Sequence, residues 1–463
     1  MTRRALAIAT ACGGGFLAFL DTTIVNTAFP GIAASFGHAT PTQLSWVLDA
    51  YFIVIAALLV PAGGIADRVG RKRVFLAGVA LFTLASAACA AAPGWETLVA
   101  ARALQGAGAA VIMAVSLALI LPEYPLARRA GAVSLWGASA ALAAASGPPL
   151  GGLLVQSDWR IVFVVNLPLG VLVYAVGRGA LTESADARAT GLPDLLGAAL
   201  AMLGLGALAL AILEGGSWGW ASPRVVVTFA AATVLLALTA LRCLSHPRPV
   251  IDPELLRVES FARANLGILL LGMAFFSTIL ANVLFLTGVW HYSLLRAGFA
   301  VVPGAIATAV AAIPAGRFAD RHGHRAVIVP GCLLYVAGMA IVRGAGAEPA
   351  FLETWLPAMV LNGAGLGMAF PALAAAALKD VPPERFGSAS AVSSAARQFG
   401  GVLGTAVLFA VGAPVTLAAA DDAYLVSTVW ALGAAVVAAT LGEMRLNRSS
   451  SRWRLRRIGD NPD

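Results

Sequence analysis

The sequence predicts an all-α membrane protein: fourteen transmembrane helices arranged as two six-helix bundles, with two further helices inserted between them. Three observations predict it. The 463 residues are 59% hydrophobic and 12% charged, with mean hydropathy +0.85, which is about half the charge of a typical soluble chain. The apolar residues come in runs of ~18 or more, long enough to cross the bilayer core as helix. The chain also repeats one polar turn, eight spans apart and in the same orientation.

Apolar runs between polar or Pro/Gly-rich breaks place helices at 5–29, 44–66, 74–93, 96–121, 131–154, 161–180, 194–213, 223–242, 264–289, 299–318, 326–343, 355–378, 387–412 and 423–442. Arg3 and Arg4 ahead of the first run resemble the start of a signal peptide. That run continues from Ala5 to Phe29 and more spans follow, so it reads as a retained helix. Counting Lys and Arg tests the order, because cytoplasmic loops carry the excess. With the N-terminus inside, inner segments hold 25 of the 31 basic residues and outer loops hold 4, namely Arg160, Arg224, Arg296 and Arg343. Arg102 and Arg397 fall within spans. A miscounted span in the middle would scramble this alternation. Both termini are therefore expected in the cytoplasm. The abundance of Ala, Gly and Arg, with only Lys72 and Lys379 as lysines, points to GC-rich coding and a bacterial plasma (inner) membrane.

The repeated turn divides the chain. Gly63-Gly64-Ile65-Ala66-Asp67-Arg68-Val69-Gly70-Arg71-Lys72 follows the second span, and Gly316-Arg317-Phe318-Ala319-Asp320-Arg321-His322-Gly323-His324-Arg325 follows the tenth. Six-helix repeats would put equivalent turns six spans apart, so the spans at 194–213 and 223–242 must be an insert. The expected division is 1–180 for the first bundle, 181–260 for the insert and its linkers, 261–442 for the second bundle and 443–463 for a basic tail. In each turn Gly70 or Gly323 permits a tight reversal, while Arg68, Arg71, Arg321 and Arg325 anchor the loop at the inner face. Asp67 and Asp320 can accept from a helix N-terminus or pair with arginine. These turns read either as topogenic or as an inner gate latch, and their presence in both halves favours the latch.

Composition excludes several classes. The net charge of +8 is spent on topology, so no nucleic-acid partner is expected; the tail from Arg445 to Arg457 reads as a segment resting on anionic lipid. Cys12, Cys89, Cys243 and Cys332 lie far apart with no Cys/His cluster, which predicts neither a metal site nor a disulfide. No GxSxG, HExxH or Walker A sequence is present, so neither an enzyme nor an ATP-driven pump is expected. No cofactor is expected beyond a proton gradient, and a monomer suffices.

Ionisable residues inside spans are costly, and each is a functional candidate. Asp21 lies ~12 Å below the outer end of the first span and Arg102 ~10 Å below Trp95 in the fourth. Asp49 lies at similar or shallower depth in the second. Asp21 or Asp49 is expected to bind a coupling proton, with Arg102 tuning it; a permanent structural bond is the alternative. Arg397, mid-span, is expected to cap or pair within its own bundle, and His291 and Glu353 to be solvated near outer loops. Asn26, Gln105 and Gln398, with Phe275, Phe276, Phe285 and Met273, are candidates to line an apolar pocket for a small lipophilic substrate. Gly147-Pro148-Pro149 should bend the fifth helix, and Gly151 and Gly152 allow close approach there.

The two turns resemble motif A of the major facilitator superfamily. Leu98-x-x-x-Arg102-x-x-Gln105-Gly106-x-Gly108-Ala109-Ala110 is similar to its fourth-helix motif, and Gly147-Pro148-Pro149-Leu150-Gly151-Gly152 to its antiporter signature. Leu20 to Pro30, Asp158-Trp159-Arg160-x-x-Phe163-x-x-Asn166-x-Pro168-x-Gly170 and Arg397-Gln398-Phe399-Gly400-Gly401 resemble the fourteen-span drug:proton antiporter branch. Ala143 replaces a customary glycine, His324 stands where the first turn has Arg71, and Asp49 stands where the branch often has an uncharged residue. The resemblance implies alternating access and proton-driven export of lipophilic compounds, with an importer or metabolite facilitator as the alternative. It also implies that the Gly-Pro signature seals the inner route against leak.

Overall fold

The computed structural model describes residues 2–120, 124, 129–185, 193–247, 249–382, 385–412 and 414–441. Several of its helices begin where the chain supplies a side-chain cap. Thr2 caps α1 (Arg3–Ser35) by accepting from the Ala5 amide. Thr40 and Gln43 form a reciprocal capping box at α2 (Pro41–Val69), with Pro41 at the first helical position. Next come α3 (Arg71–Ala90), α4 (Trp95–Ile120) and α5 (Arg129–Leu154). The sixth span is α6 (Ile161–Val164) and α7 (Asn166–Ala180), interrupted at Val165. The inserted pair is α8 (Leu195–Trp218) and α9 (Pro223–Ser245), and a short α10 (Pro253–Leu256) lies in the linker beyond.

The second half runs α11 (Glu259–Gly288), α12 (Leu294–Ala300) with α13 (Val302–His322), and α14 (Arg325–Arg343). A π-helical turn (Phe351–Trp355) leads into α15 (Leu356–Leu378), followed by α16 (Phe386–Val411) and α17 (Leu417–Ala439). Thirteen segments in the described residues are long and apolar enough to cross a membrane. α5, with 26 residues packed on α1 and α12, completes the predicted fourteen.

Several helices outrun their apolar cores. The tenth span was expected at 299–318 but starts at Leu294, because Ser293 accepts from the Arg296 amide. The second starts at Pro41 rather than 44, and the fourteenth at Leu417 rather than 423, where Thr416 caps it. Polar caps extend a helix beyond the hydrocarbon, where hydropathy carries no signal. The basic tail, Arg128, Arg188, Arg248 and the side chain of Asp320 lie outside the described residues.

Helix contacts sort the chain into two bundles. α1 packs on α4, α5 and α7, and α4 on α2 and α3. In the second half α15 packs on α13 and α14, and α11 on α16 and α17. Lipid supplies no hydrophobic drive between helices, so close approach rests on small residues. A side chain on Gly108 would strike the Phe82 backbone 2.6 Å away, and one on Gly404 the Met273 carbonyl at 2.5 Å.

The bundles meet along two seams, α2 against α16 and α5 against α12 and α13. In each, the second span of one half faces the fifth span of the other, as a duplicated unit requires. The insert breaks this symmetry. α8 packs on both α2 and α16, covering one seam, and it is tied to α9 by the Asp194–Arg242 ion pair at 2.6 Å.

Candidate functional site

Asp21 sits inside the first bundle with no exposed surface. Arg102 donates from Nη1 to its Oδ2 at 2.5 Å, Gln105 from Nε2 to Oδ1 at 2.8 Å and Asn166 from Nδ2 to Oδ1 at 3.0 Å. Gln105 also donates to the Ser86 hydroxyl and accepts from Arg102 through Oε1, while the Arg102 Nε donates to the Val47 carbonyl at 2.9 Å. The guanidinium lies 4.0 Å from the centroid of the Tyr51 ring. Thus α1, α2, α3, α4 and α7 are joined through one ion pair. Every oxygen of Asp21 is engaged, which is how a charge pair is tolerated in low dielectric.

Arg102 meets Asp21, one of the two carboxyls it was expected to tune, and Gln105, expected to line a substrate pocket, is drawn into the same network. Its amide is consumed by Asp21 and Ser86 and its surface is fully buried. Asn26 likewise donates to the Thr22 carbonyl of its own helix. Asn166 and Ser86 were missed by sequence reading, although Asn166 lies within the Asp158 to Gly170 motif.

Asp49 stands apart. It is also fully buried, but on the α2–α16 seam, where Thr405 donates to its Oδ1. Its Oδ2 has no hydrogen-bond partner, and among the described residues no Lys or Arg pairs with it. One buried carboxyl is therefore a bundle's internal strut, and the other is shared between bundles without a counter-charge.

The bundle-to-bundle contacts cluster at one end. Phe29 meets Phe409 with centroids 5.4 Å apart, and Phe52 meets Phe276 at 4.8 Å. On the other seam, a side chain on Gly152 would strike the Leu294 carbonyl at 2.5 Å, and Gly298 lies against the Pro148 carbonyl. The deepest such contact is Arg397, whose guanidinium is 5.5 Å from the Phe19 ring of the other bundle. That corrects the expectation that Arg397 pairs within its own bundle. Among the described residues, each hydrogen bond, ring contact and glycine approach joining the bundles lies at Phe19–Arg397 or farther from the face where α1 begins. The described structure is sealed on the far face.

The Gly-Pro segment belongs to that seal. Helix α5 continues through Pro148 and Pro149, while Gly147 packs on Thr23 and Gly151 on Thr27 of α1. Phe276 lies at the seam; Phe275 packs on Phe276 and on Phe370 of α15. Gln398 is 1% exposed, and its amide nitrogen has no partner.

The first repeated turn is wired within its own half. Asp67 accepts from Arg71 at 2.9 Å one turn on, Arg68 is exposed, Gly63 has slack around it, and Gly70 takes φ 123°. Glu183, which sequence reading did not single out, accepts from the amides of Lys72 and Arg73 and so caps α3. Gly323 takes φ 89°, and Arg321 and Arg325 are exposed. In the first turn Asp67 pairs with Arg71 of the same turn. Both turns face the end at which the bundles are not joined.

The family model for the Major Facilitator Superfamily matches residues 11–405, with a second match over 264–452. The chain belongs to the major facilitator superfamily. It is 36% identical over 412 residues to Multidrug resistance protein Stp of Mycobacterium tuberculosis, covering 88% of this chain and 76% of that one. It is 35% identical to the Methylenomycin A resistance protein of Streptomyces coelicolor, over 96% and 91% of the two chains. Cephamycin export protein CmcT of Amycolatopsis lactamdurans is 33% identical, over 94% and 92%. Among solved structures, nucleoside transporter NupG superposes with TM-score 0.66 at 12% identity, over 96% of this chain and all (100%) of that one. The human organic anion transporter MFSD10 does so with TM-score 0.59 at 18%, over 93% and 100%. At those identities the two structures speak to the fold alone. The protein is thus a multi-span facilitator-superfamily transporter whose relatives serve drug and antibiotic resistance, and no catalytic family is indicated.

Proposed function

We propose that this chain exports small lipophilic molecules across a bacterial plasma membrane in exchange for protons, by alternating access between its two bundles. Asp49 carries the coupling proton. The single observation that supports this assignment is the Asp49–Thr405 contact: a buried carboxyl without a cation, placed between the two bodies that must separate.

A bare carboxylate in that position costs several kcal/mol, so the seam closes around the neutral acid. When the bundles rock the other way, the seam parts, water reaches Asp49 and its proton exchanges with the outer solution. A proton taken from outside then permits the seam to shut behind released cargo, and its loss to the inside resets the cycle. At ~150 mV one proton moving inward supplies ~3.5 kcal/mol, enough for a gradient of several hundredfold in a neutral cargo. Asp21 has a different part. Its ion pair with Arg102 stays intact and keeps the first bundle rigid while it moves.

Export rather than import is supported by relatives named for resistance and for cephamycin export. The decisive assay uses protein reconstituted in vesicles with an imposed pH gradient and a neutral lipophilic fluorescent substrate. Proton movement that begins on substrate addition is expected. Substrate movement with no accompanying proton flux would overturn the coupling.

A further inference from the structure

We infer that the two bundles, at the inner edge of their seal, select cargo that joins an aromatic body to an anionic group, and that Arg397 is the side chain that receives the anion. The inference rests on the export reading and names its substrate class.

Arg397 lies near the middle of α16 and at the deepest point of the sealed half. Among the described residues its guanidinium makes no hydrogen bond and no ion pair, and it lies over the face of Phe19 in the opposite bundle. A cation at that depth is costly to leave unpartnered, and Arg102, the other mid-span arginine, is fully paired. The natural partner of Arg397 is therefore something that arrives. Arg397 is also only part-buried although central, so some of its surface is left uncovered by the protein.

A second, independent feature points the same way. Gln398 is 1% exposed and its amide nitrogen has no acceptor, a deficit that an incoming oxygen would repair. The surroundings fit an aromatic cargo body. Phe19 packs edge-on against Trp136 with centroids 5.8 Å apart, and both rings keep some exposed surface. A planar carboxylate suits the guanidinium fork, which can grip both of its oxygens.

Three pyrene probes with the same aromatic body separate charge from bulk: pyrenebutyrate, pyrenebutanol and pyrenebutyltrimethylammonium. Binding is measured on the purified full-length protein in detergent, without a gradient. The wild type should bind the carboxylate about tenfold or more tighter than the ammonium probe, with the alcohol between them. Arg397→Gln should weaken the carboxylate by about the same factor and leave the alcohol within about twofold. Arg397→Lys should keep the order of preference with a smaller spread, because the charge remains and the fork is lost. If Arg397→Gln fails to fold, the wild-type order and Arg397→Lys decide the matter.

A wild type that ignores charge or prefers the ammonium probe overturns the inference. So does an Arg397→Gln variant that weakens all three probes alike, which would make the arginine a packing or coupling element. The two readings fail separately. Protein that binds the carboxylate yet pumps nothing keeps the site and loses the export reading; protein that pumps the ammonium probe and not the carboxylate does the reverse.

Discussion

Two aspartates buried to the same degree, Asp21 and Asp49, lie in adjacent helices and have opposite surroundings. Asp21 receives three donors, one of them a guanidinium, all from its own bundle. Asp49 receives one hydroxyl from the other bundle and leaves an oxygen unbonded. Burial alone does not separate a structural carboxyl from a mechanistic one. What separates them is whether the partners move with the group or away from it. A group bonded only within a rigid body keeps its environment through a rocking motion, whereas a group at a seam loses and regains its environment each cycle.

The strongest way to break the comparison is to remove one member of the paired site. Arg102→Met leaves Asp21 as an uncompensated buried charge and should cost about 3–5 kcal/mol, read as a large fall in the thermal midpoint in detergent and in folded yield. The double variant Asp21→Asn with Arg102→Met should recover much of that loss, since no charge is then stranded. Recovery of stability without change in coupling would sharpen the view of this site as a strut.

A smaller effect is expected at the opposite seam. Gly152→Val would drive a side chain into the Leu294 carbonyl 2.5 Å from its first carbon, an overpacking cost of about 1–3 kcal/mol paid only in the sealed state. The population should shift toward the state open on that face, detectable as faster labelling of a cysteine placed at Phe409. Thr405→Val preserves shape and deletes the bond to Asp49, costing about 1 kcal/mol and shifting the same labelling by about fivefold. A shift from Thr405→Val as large as that from Gly152→Val would mean the bond, not the packing, holds the seam.

The smallest effect tests a region outside both sites. Glu183→Ala removes the cap on α3 at the repeated turn and should cost about 1 kcal/mol in stability, with seam labelling unchanged. Altered labelling there would show that the turn communicates with the seam.

The fold was largely legible because hydropathy, basic-residue alternation and the duplicated turn are independent signals that agree. Lipid imposes the first two through solvation, and duplication imposes the third. The site was half legible. Asp21, Asp49 and Arg102 could be named because a charge inside a span is rare enough to stand out. Their division of labour could not be read, because it depends on rotation about helix axes, which depth along the chain does not encode. Gln105 illustrates the gap: at cargo depth by sequence, it is turned toward Ser86 and Asp21 in the bundle core. Thr405 and Glu183 carry no sequence signal of their own, since a threonine in a span and an acid in a linker are ordinary. Their importance comes from what lies opposite in space, Asp49 across a seam and the bare amides of α3.

The most direct measurement compares Asp49→Asn with the wild type in reconstituted vesicles, recording proton-driven uphill transport and gradient-free exchange of labelled substrate side by side. The variant keeps the seam sealed around a neutral group, so exchange should persist while the several-hundredfold accumulation available at ~150 mV falls to about unity. Uphill transport and proton flux surviving intact in Asp49→Asn would contradict the assignment of the coupling proton to this residue.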